Sequence, residues 1–222
     1  MPFGAMPTED GTEFRLWAPA ARSVAVKVGD DSAVAMTRGA DGRFSAMLPG
    51  NLSGRRYAYL IDGKEPVPDP ASRFQPEGPM KASEIIDPLA YDWADAEWRG
   101  RPWEEAVLYE LHVGTFTPEG TFDALIPCLD TLKSLGVTAI ELMPIAEFPG
   151  ERNWGYDGVY PYAPQSSYGG PDGLRRLIDA CHQRGLAVVL DVVYNHFGPE
   201  GNYVKEYGEY FTDAYTSMWG SA

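Results

Sequence analysis

The stretch AVVLDVVYNHFGPEGNY, residues 187–203, brings a carboxylate, an amide and an imidazole close together in the chain. Asp191 directly follows four apolar residues, and Asn195 and His196 come a few residues later. A carboxylate accepts hydrogen bonds from hydroxyl groups or holds an arginine, and an imidazole can donate a hydrogen bond to a hydroxyl. These side chains could therefore converge on one sugar ring.

A second stretch, NWGYDGVYPYAPQSSYGGP at residues 153–171, is rich in aromatic side chains. The ring of Tyr156 offers a flat apolar face to the C–H face of a sugar, and its hydroxyl supplies a polar group. Trp154 is a weaker candidate for the same lining. Packing in the core is the alternative role for Tyr156, and Asp157 is expected only to satisfy amides of its own loop.

The two loops need strands that hold them in position. VLYELHVGTF (107–116) and VTAIELMP (137–144) predict two strands, and the four apolar residues before Asp191 predict a third. The third strand is expected to be covered on both faces, as in a parallel α/β sheet. An acid at the end of such a strand lies where parallel sheets and barrels build their sites.

Two helices are predicted between the strands. The first has Thr121 as N-cap and ends at Gly136, with an apolar face formed by Phe122, Leu125, Ile126, Leu129, Leu132 and Leu135. Pro171 begins the second and Gly185 ends it, and its inner face comprises Leu174, Leu177, Ile178 and Cys181. Alternating strands and helices predict parallel strands with right-handed crossovers.

The first 95 residues have a different pattern, with short strands separated by Gly, Asp and Pro. Strands are predicted at 14–19, 23–28, 42–48 and 55–62. Several short strands at this spacing favour a β-sandwich. The proline-rich arm, residues 66–79, is expected to wrap a surface without continuing a strand ladder.

These stretches resemble glycoside hydrolase family 13, the α-amylase family, most clearly in DVVYNH, in WGYDG and in DPASRFQP. The resemblance implies a multidomain β + α/β protein. Residues 1–95 would form an immunoglobulin-like β-sandwich of the isoamylase N-terminal type. Residues 96–222 would form the first three β/α units of a TIM (β/α)8 barrel, which is truncated because a whole barrel takes about 250 residues.

The resemblance also assigns roles within the site. It implies that His196 contacts the sugar in subsite −1, that Asp191 supports the catalytic groups, and that Asn195 shapes the loop. Tyr156 would be the platform beneath this sugar, with Trp154 beside it. Some family members use the matching asparagine for calcium, but no second ligand cluster is visible here, so neither a metal nor a cofactor is predicted.

The family's nucleophile and general acid come from later strands, and these 222 residues contain no match to those segments. No catalytic residue is therefore assigned, neither Glu200 nor Glu206 included, and the chain alone is expected to be inactive. The implied substrate is malto-oligosyltrehalose or a related α-glucan, hydrolysed at the α-1,4 bond beside the trehalose end. Alternatives are a piece of a branching or debranching enzyme, or a non-catalytic carbohydrate-binding remnant.

Four other polar residues are interpreted as lying outside the site. Glu110 and His112 share one strand face and are expected to be buried in the barrel, away from a loop mouth. Glu141 is expected to have a similar role in the barrel interior. His182 is predicted to lie on the surface.

The composition of the chain argues against some classes of binding partner and indicates a cellular compartment. A formal net charge of −14 argues against nucleic acid and against an anionic membrane surface. Cys128 and Cys181 are predicted to be reduced core thiols, which fits a cytoplasmic protein. No signal peptide and no membrane-spanning stretch are visible in the sequence.

Overall fold

The computed structural model describes residues 3–212, 214–217 and 220–221. The N-terminal part forms two four-stranded antiparallel sheets. One sheet has the order β1-β2-β6-β5, with strands Gly4–Thr8 (β1), Gly11–Trp17 (β2), Arg43–Leu48 (β6) and Thr37–Arg38 (β5). The other has the order β4-β3-β7-β8, with strands Val34–Ala35 (β4), Val24–Val28 (β3), Arg56–Ile61 (β7) and Ser83–Glu84 (β8).

Alternating side chains explain why the two sheets pack together. In β2, Phe14 and Leu16 are buried while Arg15 and Trp17 point outwards, because successive residues of a strand face opposite sides. The inward-facing residues of both sheets belong to one apolar core. The four predicted strands are confirmed. The strand β1 and the two-residue strands were not predicted, because they lack the length or the composition of a recognisable strand.

The proline-rich arm is paired and buried to a greater extent than the sequence predicted. Val67 exchanges two backbone hydrogen bonds with Tyr59 of β7, each 2.8 Å long, so the arm does pair with a strand at this point. Asp69 is fully buried, and its carboxylate accepts hydrogen bonds from the Tyr57 hydroxyl at 2.6 Å and from the Ala71 amide at 2.7 Å. The prediction that the arm only wraps a surface is therefore wrong here.

A three-stranded parallel sheet forms the second part, in the order β13-β10-β9. Its strands are Leu108–Leu111 (β9), Ala139–Leu142 (β10) and Ala187–Leu190 (β13). The parallel arrangement was predicted correctly. The expectation that β13 is covered on both faces is wrong: its residues are half-buried and Leu190 is 43% exposed. Within the described residues, β13 pairs with β10 alone, so one of its edges is open.

The segment 107–116 is not one strand. β9 ends at Leu111, and Val113–Phe116 turns into a short helix, α1. The next helical stretch is also interrupted: Phe122–Leu125 (α2) and Leu129–Ser134 (α3) flank a 3-10 turn at Ile126–Cys128. This turn contains a proline, which has no N–H to continue the α-helical ladder.

The boundaries of this helical stretch are confirmed, but one predicted core residue is not. The hydroxyl of Thr121 accepts a hydrogen bond from the Ala124 amide at 3.3 Å, which makes Thr121 the N-cap. Gly136 ends the stretch with φ of +89°, a value that favours glycine. Leu135 is 72% exposed and so does not belong to the inner face.

The long helix α4 comprises Gly170–Gln183. Its buried residues Leu177 and Cys181 belong to the same apolar core as Ile140 of β10. Both cysteines are free, but Cys128 is only half-buried and is not a core thiol. His182 is not a surface residue either, since its ring stacks on Trp98 and its Nδ1 lies 2.6 Å from Asp95. No helix in the described part of the chain is long and apolar enough to cross a membrane.

Further short elements complete the described structure. They are the antiparallel pair Ala146–Glu147 (β11) and Tyr160–Pro164 (β12), the helix Val204–Tyr207 (α5), the pair Thr216–Ser217 (β14) and Gly220–Ser221 (β15), and 3-10 turns at Trp103–Glu105 and Ser166–Tyr168. The hydroxyl of Tyr160 donates to the Pro79 carbonyl at 2.8 Å, and that of Tyr207 donates to the Pro68 carbonyl. Both acceptors belong to the arm.

The buried carboxyl of Asp69 predicts a pH-dependent stability. Burial raises its pKa from 3.8 to about 6 in the folded chain, so the native state binds this proton more tightly than the unfolded chain does. The free energy of unfolding should therefore fall as the pH rises from about 4 to about 6, and then level off. A difference of about two pKa units corresponds to roughly 3 kcal/mol.

Asp69→Asn isolates this effect because asparagine does not titrate. Urea unfolding of both proteins between pH 4 and 7 gives the stability of the wild type relative to the variant at each pH. This difference should drop by roughly 3 kcal/mol across the interval. A difference that stays constant with pH would show that Asp69 is not the titrating group.

Candidate functional site

The carboxyl ends of the three parallel strands define one edge of the sheet. The backbone ladder continues past the strands, because the Met143 amide donates to the Leu111 carbonyl and the Asp191 amide to the Leu142 carbonyl, each at 3.0 Å. Glu110 pairs with Glu141 in the register of β9 and β10, and His112 lies two residues further along the chain. His112 and Asp191 therefore both follow strand ends at this edge.

This placement corrects the interpretation of the first strand. His112 lies beyond the end of β9, at the mouth of the loops, and not in the middle of a barrel strand. Glu110 is exposed and Glu141 is half-buried, so Glu110 is not the buried structural group that was expected. A helical turn begins at Val113, so the strand ends immediately before His112.

The aromatic loop after β10 is built around Asn153. Its Oδ1 accepts hydrogen bonds from the amides of Gly155 at 2.7 Å, Tyr156 at 3.1 Å and Asp157 at 3.4 Å. Its Nδ2 donates to the Asp157 carboxylate at 2.6 Å. The expectation that Asp157 satisfies loop amides is thus wrong: Asn153 has this role, as asparagine often does in turns.

A tight turn presents the two aromatic side chains to solvent. Gly155 has φ of +98°, and a Cβ at this position would lie 2.3 Å from the Pro144 carbonyl oxygen, so only glycine fits. The flanking rings of Trp154 and Tyr156 are 63% and 47% exposed. Tyr156 is therefore not a core residue, which leaves its ring accessible to a ligand.

One side-chain and one main-chain hydrogen bond join this loop to the one after β13. The Nε2 atom of His196 lies 2.8 Å from the Tyr156 carbonyl oxygen, and the Gly198 amide donates to the Gly158 carbonyl at 3.2 Å. Gly198 also has no room for a side chain, since a Cβ would lie 2.1 Å from the Asp157 carbonyl oxygen. The structure thus brings His196 and Tyr156 together.

The hydrogen bond of His196 determines what its ring can do. A carbonyl oxygen only accepts, so Nε2 carries the proton and Nδ1 of the neutral ring is an acceptor. Within the described part of the chain, no hydrogen bond reaches Nδ1. In this tautomer Nδ1 is free to accept a hydrogen bond, whereas the sequence motif suggested a donor.

His112 supports the aromatic loop from below. Its Nε2 lies 2.7 Å from the Asn153 carbonyl oxygen and its Nδ1 lies 3.0 Å from the Thr115 hydroxyl. Its ring centroid is 5.0 Å from that of Trp154. A histidine that binds the backbone beside the tryptophan restricts where the tryptophan can lie, so His112 is a part of the site that sequence reasoning missed.

Asp191 is half-buried and Asn195 is exposed. Asp191 lines a cavity of about 440 Å³ together with Pro144, Gly155, Tyr162, Val193 and Tyr194, but neither Tyr156 nor His196 contributes to its wall. This cavity is therefore adjacent to the joined loops and not identical with them. Among the described residues, no group of three or more His, Cys, Asp or Glu side chains could hold a metal ion.

One buried carboxyl near the aromatic loop was not identified from the sequence. Glu147 in β11 is inaccessible to solvent, and burial raises its pKa to about 7. The amide of Ser166 donates to it at 2.7 Å and the Ser166 hydroxyl at 3.0 Å. These contacts tie β11 to the segment that precedes α4, so Glu147 has a structural function.

Two family matches cover the chain. Residues 79–219 match the alpha amylase catalytic domain, and residues 2–90 match carbohydrate-binding module 48, the isoamylase N-terminal domain. The chain therefore belongs to the α-amylase family of enzymes, as the sequence motifs indicated.

Curated relatives point to one group within this family. The chain is 53% identical over 99% of its length to a malto-oligosyltrehalose trehalohydrolase of Saccharolobus solfataricus, and 50% identical over 97% to one of Deinococcus radiodurans. It spans 39% and 36% of the length of these two proteins.

Solved structures share its fold. A crystal structure of a Salmonella typhimurium protein matches with a TM-score of 0.94 and 45% identity, over 99% of this chain and 38% of that one. Pullulanase type I from Bacillus subtilis, complexed with maltose, matches with a TM-score of 0.82 and 28% identity, over 98% of this chain and 36% of that one.

The central role of Asn153 is testable by hydrogen exchange. Asn153→Ala removes the acceptor of three amide groups, and the amides of residues 155–157 should exchange about fivefold faster, because each lost hydrogen bond is worth roughly 1 kcal/mol. Mass spectrometry of peptides that contain this loop gives the rates.

A matched control is available in the sandwich. The Oδ1 atom of Asn51 accepts a hydrogen bond from the Ser53 amide at 2.9 Å, in a similar turn. Asn51→Ala should leave exchange at residues 155–157 unchanged. Equal rates in the wild type and in Asn153→Ala would mean that other contacts hold the aromatic loop.

Proposed function

We propose that the protein containing this chain hydrolyses the α-1,4-glucosidic bond beside the trehalose end of malto-oligosyltrehalose and releases trehalose. The names of the curated relatives support this reaction. The observation that carries the site is the hydrogen bond between His196 and the Tyr156 carbonyl. It unites the two loops whose side chains suit a sugar, at the edge where α/β barrels carry their sites.

Each side chain has a proposed role in this reaction. The exposed ring of Tyr156 stacks beneath the sugar next to the scissile bond, and Trp154 lines the same surface. His196 accepts a hydrogen bond from a sugar hydroxyl through Nδ1. Asp191 supports the catalytic groups from the end of β13, and Asn195 shapes the loop between them.

The proposed reaction also requires residues outside this chain. We assign residues 1–95 to the carbohydrate-binding sandwich of immunoglobulin-like type, and residues 96–222 to the first three β/α units of a TIM barrel. Later strands supply the nucleophile and the acid, since retaining glycosidases place two carboxyl groups about 5–5.5 Å apart. Two free cysteines favour a reducing compartment, the cytoplasm.

Debranching of α-glucans is a second candidate, favoured by the structural likeness to a pullulanase complexed with maltose. The two candidates differ in the bond that is cleaved. Incubation of the full-length protein with malto-oligosyltrehalose and, separately, with pullulan distinguishes them. Trehalose as the main product supports the first candidate, and maltotriose from pullulan supports the second.

The chain on its own should not turn over substrate. Expressed as these 222 residues, it lacks the nucleophile and the acid, and the loss of such groups removes several orders of magnitude in rate. Released trehalose is measured by chromatography, with the full-length protein as the positive control. Trehalose release at a normal enzymatic rate by the 222-residue chain would contradict this assignment.

In the full-length protein, His196→Ala should lower kcat/KM by about ten- to a hundredfold while the melting temperature hardly changes. A hydrogen bond that strengthens as the sugar approaches the transition state is worth roughly 1.5–3 kcal/mol. Steady-state kinetics and thermal melting are measured on the same preparation.

His182 provides the control, because its ring is packed on Trp98 and bound to Asp95. His182→Ala should lower the melting temperature and leave kcat/KM near the wild-type value. Unchanged kinetics in His196→Ala would remove this residue from the site.

A further inference from the structure

The aromatic loop between β11 and β12 is joined at its base to a buried glutamine. Gln165 is inaccessible to solvent, yet both polar atoms of its side chain have partners. Its Oε1 accepts a hydrogen bond from the Phe148 amide at 2.9 Å. Its Nε2 donates to the Gly150 carbonyl and to the Ser167 hydroxyl, each at 3.0 Å. Two of these three bonds reach the first residues of the loop.

The two loop groups need one side chain that both donates and accepts. An amide N–H only donates and a carbonyl oxygen only accepts, and the end of a glutamine side chain offers an acceptor and a donor together. Among the described residues, no other hydrogen bond reaches residues 148–152. Without the Gln165 amide, the N–H of the fully buried Phe148 would have no partner.

Gln165 itself is held by backbone hydrogen bonds on both sides. Its amide donates to the Ile145 carbonyl at 2.7 Å, and its carbonyl accepts from the amides of Tyr168 and Gly170, each at 3.2 Å. These last two bonds fix it to the turn that leads into α4. The glutamine therefore ties the start of the aromatic loop to α4, which is the longest helix in the described part of the chain.

Contacts in the core continue from the base of the loop to its exposed rings. Phe148 packs edge to face on Tyr168, with ring centroids 5.7 Å apart and planes at 73°. The Tyr168 hydroxyl lies 3.2 Å from Nε2 of His112. The ring of His112 in turn lies beside that of Trp154, at 5.0 Å between centroids. The position of Phe148 therefore affects where Trp154 can lie.

We propose that Gln165 is a positioning residue of the aromatic loop, which acts through Phe148 and Gly150 to set where Trp154 and Tyr156 lie. This inference rests on the proposed function, in which these two rings contact the glucan. Gln165 touches no substrate, because it is buried. A loop that is fixed at its base has less freedom to lose when it binds a sugar.

Gln165→Met tests the inference, because methionine has nearly the shape of glutamine and no amide. In the 222-residue chain, amide hydrogens of residues 148–157 should exchange faster, by roughly tenfold or more, since two hydrogen bonds are lost together. In the full-length protein, KM should rise by roughly tenfold or more, because displaced rings bind the glucan less well. Destabilisation alone would lower kcat through loss of folded enzyme and leave KM unchanged.

Thr12→Val is the matched control. The Thr12 hydroxyl is also fully buried, donates to the Gly50 carbonyl at 2.9 Å and accepts from the Leu52 amide at 3.0 Å. Valine therefore removes the same kinds of bond from the sandwich, and should lower the melting temperature without changing KM or exchange in the aromatic loop. Ser167→Ala removes the partner of Gln165 that lies outside the loop, and should also leave KM unchanged.

Three results would overturn the proposal: unchanged exchange in Gln165→Met, an unchanged KM in this variant, and an equal rise in KM with Thr12→Val. If Gln165→Met does not fold, Gln165→Asn replaces it under the same criteria, since its amide is one methylene too short to reach the loop. Failure of the proposed function is a separate result, seen as no trehalose release by the wild-type full-length protein. KM is then measured with pullulan, and the exchange measurement needs no substrate.

Discussion

The buried carboxylate of Asp69 is the contact on which the arrangement of the chain depends. A charge without solvent must be hydrogen-bonded, and Tyr57 of the sandwich and an amide of the arm both donate to Asp69. The arm is thereby fixed to the sandwich. Tyr160 and Tyr207 then donate to backbone carbonyls of the same arm from the other side. Residues 66–79 thus connect the two parts through buried polar contacts and not through apolar packing alone.

This connection also positions the candidate site. Tyr160 begins β12, which directly follows the aromatic loop, so the arm holds one end of that loop. Asn153 orders its turn and His196 binds its backbone from the neighbouring loop. The exposed ring of Tyr156 is thus placed by two side chains, Asn153 and His196, that bind its own backbone amide and carbonyl. Such a loop can present an aromatic surface to a sugar without first having to order itself.

Sequence reasoning succeeded where the signal is local. Alternating residues located four sandwich strands, and Thr121 and Gly136 correctly bounded a helical stretch. It failed where long-range contacts decide. The burial of β13 depends on how many strands flank it, and the role of His112 depends on a backbone carbonyl 41 residues away. The candidate side chains were found by resemblance, whereas the groups that hold them became visible only in the fold.

The most direct test of the account is a crystal structure of the full-length protein, with its catalytic carboxylates replaced by amides, bound to malto-oligosyltrehalose. We expect one glucosyl ring to lie on the face of Tyr156, with a hydroxyl within hydrogen-bond distance of Nδ1 of His196. The hydrogen bond between His196 and the Tyr156 carbonyl should persist. A substrate that occupies another surface, with Tyr156 covered by protein and His196 turned away from the sugar, would contradict the account.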